Sequence, residues 1–401
     1  MKKTKKSINS LFRYLWQRET AYILIIVGIF SVVIGLLTLI PIDAAETEIQ
    51  TVRLSESIGT IFSNPLDGLY KLLVFTATSI VPSIRAVRAV SFVFLLVTCI
   101  AMFYALKHWH SIQTSLMTTI AFGTNAVVLA LARYGTPLIT LMGFFVFASL
   151  LLWQLHSRSN KAVPMLVIIA GALLMYTPGA PWFATILAIV YWDRIKPFFK
   201  NVKRQALLAG SLIALIAMLP LLWRFFGDFD AIRQWLLLPA KLELSALARN
   251  ILRVPSAFIY RMPIDPHINI ARLPIFDLAC GIFFLVGLNA YRHKLRLDRT
   301  RIMLGSALVG ILLGALGSTI VAIVFLLPFA YSIVAAGIEY LLDIWYSVFP
   351  RNPIARSFGT LILTTAILFS SYYQLTRFFV VWPQVPETRE AYSQSRLLDS
   401  R

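Results

Sequence analysis

Long apolar segments recur along the whole chain and constrain its fold more than any other feature. A helix needs about 20 apolar residues to cross the ~30 Å hydrocarbon core of a bilayer, and segments near that length fill most of these 401 residues. Hydrophobic residues make up 58% of the chain and charged residues 14%, against about 45–50% and about 25% in soluble domains. Soluble, disordered and collagen-like classes are therefore excluded, and the sequence predicts an all-α polytopic membrane protein.

The apolar segments predict about eleven transmembrane helices in one membrane-embedded unit that covers residues 1–401. The first, 22–40, follows a basic amphiphilic start and lacks a clean cleavage site, so we expect a retained signal anchor. The stretch 72–81 is expected to be a re-entrant or interfacial helix. The remaining spans are expected at 88–106, 115–131, 137–155, 163–177, 181–192, 205–223, 274–291, 302–316, 318–342 and 358–375. Of these, 181–192 is too short to cross alone.

The formal net charge of +19 is large for a chain with so few charged residues. In a soluble protein it would indicate nucleic-acid binding, but membrane proteins collect Lys and Arg in their cytoplasmic loops. Basic clusters at 194–204 and 292–301, together with residues 1–21, are consistent with that rule. We expect a multi-pass protein of the plasma (inner) membrane with a cytoplasmic N-terminus, in contact with membrane lipids and without a nucleic-acid partner.

Three segments on the predicted outer face are too long to be simple connectors. They are the first outer loop 41–87, the second outer loop 224–273 and the C-terminal tail 376–401. Long loops in compact proteins are usually functional or disordered, and the two loops mix apolar, aromatic and charged residues as ordered segments do. The spans themselves hold few ionisable side chains, which disfavours an ion-coupled transporter.

Acidic residues gather directly after the first predicted span. Asp43 and Glu46 are three residues apart, so they share a helix face, or Asp43 is an N-cap with Glu46 at the N3 position. The functional alternative is a general base at the membrane surface, because inverting sugar transfer needs a carboxylate to take the acceptor's proton.

Further polar segments follow the acidic one in a recognisable order. They are Asn64-Pro-Leu-Asp-Gly-Leu-Tyr70, then Pro82-Ser-Ile-Arg-Ala-Val-Arg-Ala-Val-Ser91 entering a span, then Ala132-Arg-Tyr-Gly-Thr-Pro137 after the next one. This order resembles the GT-C glycosyltransferase superfamily, specifically its protein O-mannosyltransferase and aminoarabinose-transferase-like branch. The resemblance covers about residues 20–155 well, and the rest only in helix number and loop order.

The resemblance implies an enzyme that moves a sugar from a polyprenyl-phosphate donor to a glycan, lipid or protein acceptor on the extracytoplasmic face. It gives Asp43 or Glu46 the role of catalytic base, although the family usually has two adjacent acids and this chain separates them by two alanines. It places the donor phosphate beside Arg88 and Arg133, with Arg85 and Tyr134 close by.

Secondary candidates lie in the second outer loop. Asp228 and Asp230 form a D-x-D string, which some metal-dependent glycosyltransferases use and which also arises by chance. Arg261 suits phosphate or anionic lipid headgroups, and His267 lies in a turn. No metal ligand is assigned and no cofactor is certain, although a divalent metal is possible.

Two other functions remain open at this point. A transporter or flippase of lipid-linked saccharides would use the same outer cations, but it needs a polar path between helices. A non-catalytic membrane relative of the enzymes would retain the fold without using Asp43 or Glu46.

Overall fold

The computed structural model describes residue 28 and residues 43–156, 163–201, 204–239, 244–292, 295 and 297–398. The chain divides into two compact units, Met1–Pro41 and Ile42–Arg401. The helices named below belong to the second unit. The predicted signal anchor at 22–40 and the basic segment 1–21 lie outside the described residues, apart from residue 28.

The described part of Ile42–Arg401 is helical and contains no β-strand. We number its α-helices in chain order. They are α1 Glu46–Arg53, α2 Ile58–Ser63, α3 Gly68–Ile80, α4 Ile84–Lys107, α5 Ile112–Gly123, α6 Ala126–Arg133, α7 Gly143–His156, α8 Val163–Leu174, α9 Ala180–Asn201, α10 Arg204–Gly227, α11 Phe229–Trp235, α12 Leu244–Ile259, α13 Leu278–Arg292, α14 Asp298–Leu316, α15 Thr319–Val348, α16 Pro353–Thr376 and α17 Pro386–Leu398. Short 3₁₀ and π segments lie at Pro137–Met142, Arg377–Val381 and Trp382–Gln384.

Five described helices are long and apolar enough to cross a membrane, and a sixth span results if the bent pair α5–α6 is one crossing. The five lie within α4, α10, α14, α15 and α16 with its extension to Gln384. The all-α polytopic fold is therefore confirmed. The number eleven stays a prediction, because the other described apolar helices are shorter than a full span.

Most predicted spans coincide with helices, and the differences have local causes. The segment 115–131 bends by 57° between α5 and α6, where Thr124 and Asn125 interrupt the apolar sequence. The segment 137–155 begins as a 3₁₀ turn with Pro137 at its first position, where a missing backbone N–H is tolerated. The segment 181–192 is part of α9, which continues to Asn201. The predicted stretch 72–81 falls in α3, which starts at Gly68.

Helix α15 forms the centre of the bundle, with 83% of its apolar window buried. Its Phe325 packs against Phe144 and Phe183 at ring-centroid distances of 5.5 and 5.8 Å, and its Phe329 packs against Phe183 at 6.3 Å. Helix α10 is the opposite case, since only 11% of its apolar window is buried. An apolar face that none of the described residues covers suits contact with lipid chains.

Helices α13 and α15 touch backbone to backbone. A Cβ added at Gly287 would lie 1.9 Å from the carbonyl oxygen of Ile333, and one added at Gly337 would lie 1.9 Å from that of Phe283. Small residues at such crossings let helices approach closely in a membrane, where packing replaces the hydrophobic drive for association.

The bend between α5 and α6 is stabilised by side chains. The Oδ1 atom of Asn125 caps α6 by accepting from the amides of Val127 and Val128 at 3.0 and 3.3 Å. Gln374 of α16 accepts from the amide of Ala126 at 3.2 Å, so the free amides at the helix start are satisfied. The bend directs the C-terminal end of α6, and with it Arg133, towards α1 and the start of α4.

Candidate active site

Helix α1 carries a buried carboxylate that closes its own N-terminus. The Oε2 atom of Glu48 accepts from the amide of Ala45 at 2.9 Å, and its Oε1 atom accepts from the amide of Gly135 at 2.9 Å. The alternative with Asp43 as N-cap and Glu46 at N3 is therefore wrong. The helix starts two residues later, with Ala45 as N-cap and Glu48 at N3.

The same carboxylate forms a two-point ion pair with Arg88 of α4. The Nε and Nη2 atoms of Arg88 donate to the two oxygens of Glu48, both at 2.8 Å, and Glu48 is fully buried. Nη2 also donates to the backbone carbonyl of Asp43 at 3.1 Å. Burial alone would raise the pKa of Glu48, but Arg88 and the amides of Ala45 and Gly135 more than offset it. The pKa is therefore held below its ordinary value, and Glu48 stays charged.

Arg133, the last residue of α6, lies between two aromatic rings of the C-terminal segment. Its guanidinium carbon is 5.6 Å from the ring centroid of Trp382 and 5.4 Å from that of Tyr392. All three side chains are almost fully buried, and a cation is favourable over aromatic faces in such surroundings. Arg133 is also close enough to Arg88 and Glu48 for their charges to interact.

Tyr134 connects α1 to the second predicted loop. Its hydroxyl shares a hydrogen bond with the hydroxyl of Thr47, and its ring stacks on His267 at 5.1 Å. Nδ1 of His267 lies 3.1 Å from a carboxylate oxygen of Asp265, and the backbone carbonyl of His267 accepts from the hydroxyl of Tyr392 at 3.3 Å. Burial raises the pKa of Tyr134 to about 12, so its hydroxyl stays protonated.

The residues predicted from the first acidic segment and α4 are near one another but differ in exposure. Asp43 is exposed and its carbonyl contacts Arg88, on which its charge also acts. Glu46 lies exposed on the first turn of α1. Arg85 is exposed on the first turn of α4, three residues before Arg88. The structure thus brings Asp43, Arg88, Arg133, Tyr134 and His267 together.

The secondary candidates Asp228, Asp230 and Arg261 make other contacts. Asp228 caps α11 by accepting from the amide of Asp230 at 2.9 Å, and it pairs with Arg224 at 2.7 Å. Asp230 pairs with Arg233 at 3.3 Å. Arg261 lies over the ring of its neighbour Tyr260 at 5.1 Å. Within the described ranges, no three His, Cys, Asp or Glu side chains converge as metal ligands.

A cavity of about 380 Å³ is lined in part by Thr47 and Tyr134. Its wall includes Asp67, which precedes α3 in the left-handed region at φ 57°. Asp67 is half-buried as a residue, and burial of its carboxyl group raises the pKa to about 7, against a smaller opposing effect of the Lys71 charge. Lys71 itself donates to the carbonyl of Asn64 at 2.8 Å.

Several residues of this region escaped the sequence-based prediction. Glu48 lies within the acidic segment and was passed over in favour of its neighbours, and Asp67 lies within the Asn64–Tyr70 segment without being assigned a role. Trp382 and Tyr392 belong to the predicted tail, where nothing in the local sequence indicates that they cover an arginine.

The fold is similar to that of a solved membrane enzyme. The apo crystal structure of ArnT from Cupriavidus metallidurans matches with a TM-score of 0.60 at 12% sequence identity, over 94% of this chain and 78% of that one. No protein-family profile and no curated sequence matches the chain. The chain therefore has an ArnT-like polytopic membrane fold.

Proposed function

We propose that the protein is a membrane glycosyltransferase that moves a sugar from a polyprenyl-phosphate donor to an acceptor at the outer face of the plasma membrane. The observation that carries the proposal is one polar site built by α1, the start of α4, the end of α6, the loop around His267 and the C-terminal segment. These five segments are far apart in sequence and meet beside the apolar helices of an ArnT-like fold.

The charges of the site suit a phosphate group. Arg88 and Arg133 lie close together, and Glu48 is the buried carboxylate that faces Arg88. A second anion between the two guanidinium groups would relieve their mutual repulsion, and arginine binds phosphate through paired N–H donors. Arg85 lies exposed one turn before Arg88, where a headgroup approaching along the membrane surface would meet it first. Positive charge at this place also stabilises a departing polyprenyl phosphate.

Asp43 lies at the same end of the site, beside Arg88. We assign it to the donor's sugar, whose hydroxyl groups an exposed carboxylate can bind while the phosphate contacts the arginines. The roles of Asp43 and Glu46 as catalytic base stay predictions. Tyr134, which bonds to Thr47 of α1, stacks on His267. Aromatic rings of this kind suit the apolar face of a sugar.

A transfer assay on the purified full chain tests the proposal. The protein in lipid nanodiscs is incubated with polyprenyl-phosphate hexoses, pentoses and amino sugars together with a panel of hydroxyl and phosphate acceptors. Mass spectrometry then records the product, and native mass spectrometry records the bound donor. We expect transfer from at least one donor. The variant Arg133→Ala should lose donor binding, because it removes a cation from the phosphate position.

The matched control is Arg253→Ala, which removes an exposed cation of α12 outside the site. It should bind and transfer as the unmodified protein does. Absence of both transfer and donor binding across the panel would refute the proposal. Movement of a donor across proteoliposome membranes without transfer would favour the flippase instead.

A further inference from the structure

We infer that the 380 Å³ cavity beside Thr47 and Tyr134 is the acceptor subsite, that it takes an uncharged hydroxyl-bearing acceptor, and that Asp67 accepts the proton of the attacking hydroxyl. The inference rests on the proposed function and gives it an acceptor class and a proton acceptor.

The lining of the cavity determines what can enter it. Besides Asp67, Gln50 and apolar side chains, six residues that carry a hydroxyl group line it: Thr47, Thr51, Thr136, Thr140, Thr177 and Tyr134. Among the described residues that line it, none is Lys, Arg or His. Hydroxyl groups and one carboxylate bind the hydroxyls of a neutral sugar or polyol, whereas a phosphorylated acceptor would lose its hydration without gaining a cation. The volume lies within the range of about 300–1,000 Å³ that small-molecule pockets occupy.

The cavity also lies where an acceptor must lie relative to the donor. Thr47 and Tyr134 are among the residues that line the cavity. Thr47 precedes Glu48 and Tyr134 follows Arg133, so both are immediate chain neighbours of the ion-paired site. Their hydroxyls bond to each other at this boundary. A sugar held beside Arg88 and Arg133 would therefore lie next to the cavity.

Asp67 is held in the cavity wall by its backbone, and its carboxylate is left for other partners. Its amide donates to the carbonyl of Tyr176 at 2.8 Å. Among the described residues none donates a hydrogen bond to its side chain, and Lys71 is directed to Asn64 instead. The titratable groups around it are Lys71 and Tyr70 of α3, Tyr176 before α9, and Tyr134 across the cavity.

The basicity of this carboxylate agrees with the role. Burial raises the pKa of Asp67 to about 7, and a general base is most effective when its pKa is near the working pH. Burial also raises the pKa of Tyr70 and of Tyr176, and lowers that of Lys71. The two tyrosines thus stay neutral, and the pKa of Asp67 lies near neutral pH.

The step balances without a further reactant. The acceptor oxygen forms a bond to the anomeric carbon while the bond from that carbon to the phosphate oxygen breaks. The acceptor's proton passes to a carboxylate oxygen of Asp67, and the bonding electrons leave with the polyprenyl phosphate. Asp67 then returns the proton to water.

The test uses the full chain in nanodiscs with a donor that the unmodified protein accepts, and two matched acceptor probes, methyl glucoside and methyl glucoside 6-phosphate. We expect transfer to the neutral probe at least tenfold faster than to its phosphate. The variant Asp67→Asn should lower kcat for the neutral probe at least a hundredfold with donor binding unchanged. Asn tolerates the left-handed conformation at this position, so the variant should fold, and Asp67→Glu should restore part of the rate.

The pH profile separates a base from a structural residue. The rate of the unmodified protein should rise with pH up to about 7 and then level off, and Asp67→Asn should lose that rise. Glu56→Gln, which alters an exposed acid of the same segment outside the cavity, should leave rate and profile unchanged. An unaltered profile in Asp67→Asn, or a preference for the phosphorylated probe, would overturn the inference while the transferase proposal stands. Failure of the unmodified protein with every donor would instead refute the transferase proposal.

Discussion

Two carboxylates of the segment between the first two predicted spans, Glu48 and Asp67, have opposite electrostatic surroundings. Glu48 accepts four hydrogen bonds, two from Arg88 and two from backbone amides, and its pKa lies below the ordinary value. Asp67 faces hydroxyl groups and apolar side chains, and its pKa rises to about 7. Both are shielded from water, so burial alone does not decide the outcome. The number of hydrogen bonds that each carboxylate accepts determines whether its pKa falls or rises.

This difference separates a structural acid from a reactive one. A carboxylate with every acceptor site filled holds α1, α4 and the segment after α6 together, and it has little capacity left for a substrate. A buried carboxylate that accepts no hydrogen bond from the described residues costs folding free energy and is ready to accept a proton. Pairs of acids with pKa values shifted apart are typical of sites where one acid supports the geometry and the other carries out proton transfer.

The largest effect is expected for Glu48→Gln. The substitution leaves the guanidinium of Arg88 buried without its counter-charge, which typically costs about 3–5 kcal/mol. Thermal unfolding in detergent, followed by tryptophan fluorescence, should show a large fall in Tm. The double variant Glu48→Gln/Arg88→Met should recover part of the loss, since neither charge is then left alone. If Glu48→Gln lowered the free energy of unfolding by less than about 1 kcal/mol, a buried ion pair between Glu48 and Arg88 would be contradicted.

The variant Asp67→Asn should be stabilised relative to the unmodified protein, and the difference should grow with pH. Because the folded pKa of about 7 exceeds the ordinary 3.8, ionisation of Asp67 destabilises the folded protein increasingly from about pH 4 to pH 7. The variant should therefore be more stable than the unmodified protein at pH 8, by about 0.5–2 kcal/mol, and not at pH 4. Equal Tm differences at both pH values would contradict the raised pKa.

A smaller effect is expected for Tyr134→Phe, which tests the boundary between the two carboxylates. The variant loses the hydrogen bond to Thr47 and keeps the stack on His267, so it should cost about 0.5–1.5 kcal/mol. Transfer should fall through a higher KM for the acceptor, because the hydroxyl lines the cavity. Thr47→Val should give a similar change, and the two effects should not add.

The smallest effect is expected for Glu46→Gln. This acid is exposed on the first turn of α1, and exposed substitutions usually change stability by less than about 0.5 kcal/mol. If the catalytic role of the acidic segment lies with Asp43 and Asp67, transfer should also be retained. A loss of transfer in Glu46→Gln with normal folding would return the role of base to Glu46.

Much of the architecture could be predicted because apolar length is a local property. The apolar segments placed α4, α10, α14, α15 and α16 close to their observed positions. The ordered polar segments likewise drew attention to Arg88, Arg133 and Tyr134, which do lie together. The bend before α6 was not predicted, since Asn125 signals an interruption only once Gln374 of another helix is seen to satisfy the freed amide.

The sequence alone determined that this chain is an all-α polytopic membrane protein with an acidic and basic cluster between its first spans, because hydrophobic length and charge need no knowledge of neighbours. Which of the acids Asp43, Glu46, Glu48 and Asp67 pairs with an arginine and which has a raised pKa was decided only by the tertiary structure. The reason is physical: the protonation of a carboxylate depends on donors and shielding from segments far away in the chain, here Arg88, Gly135 and the walls of the cavity.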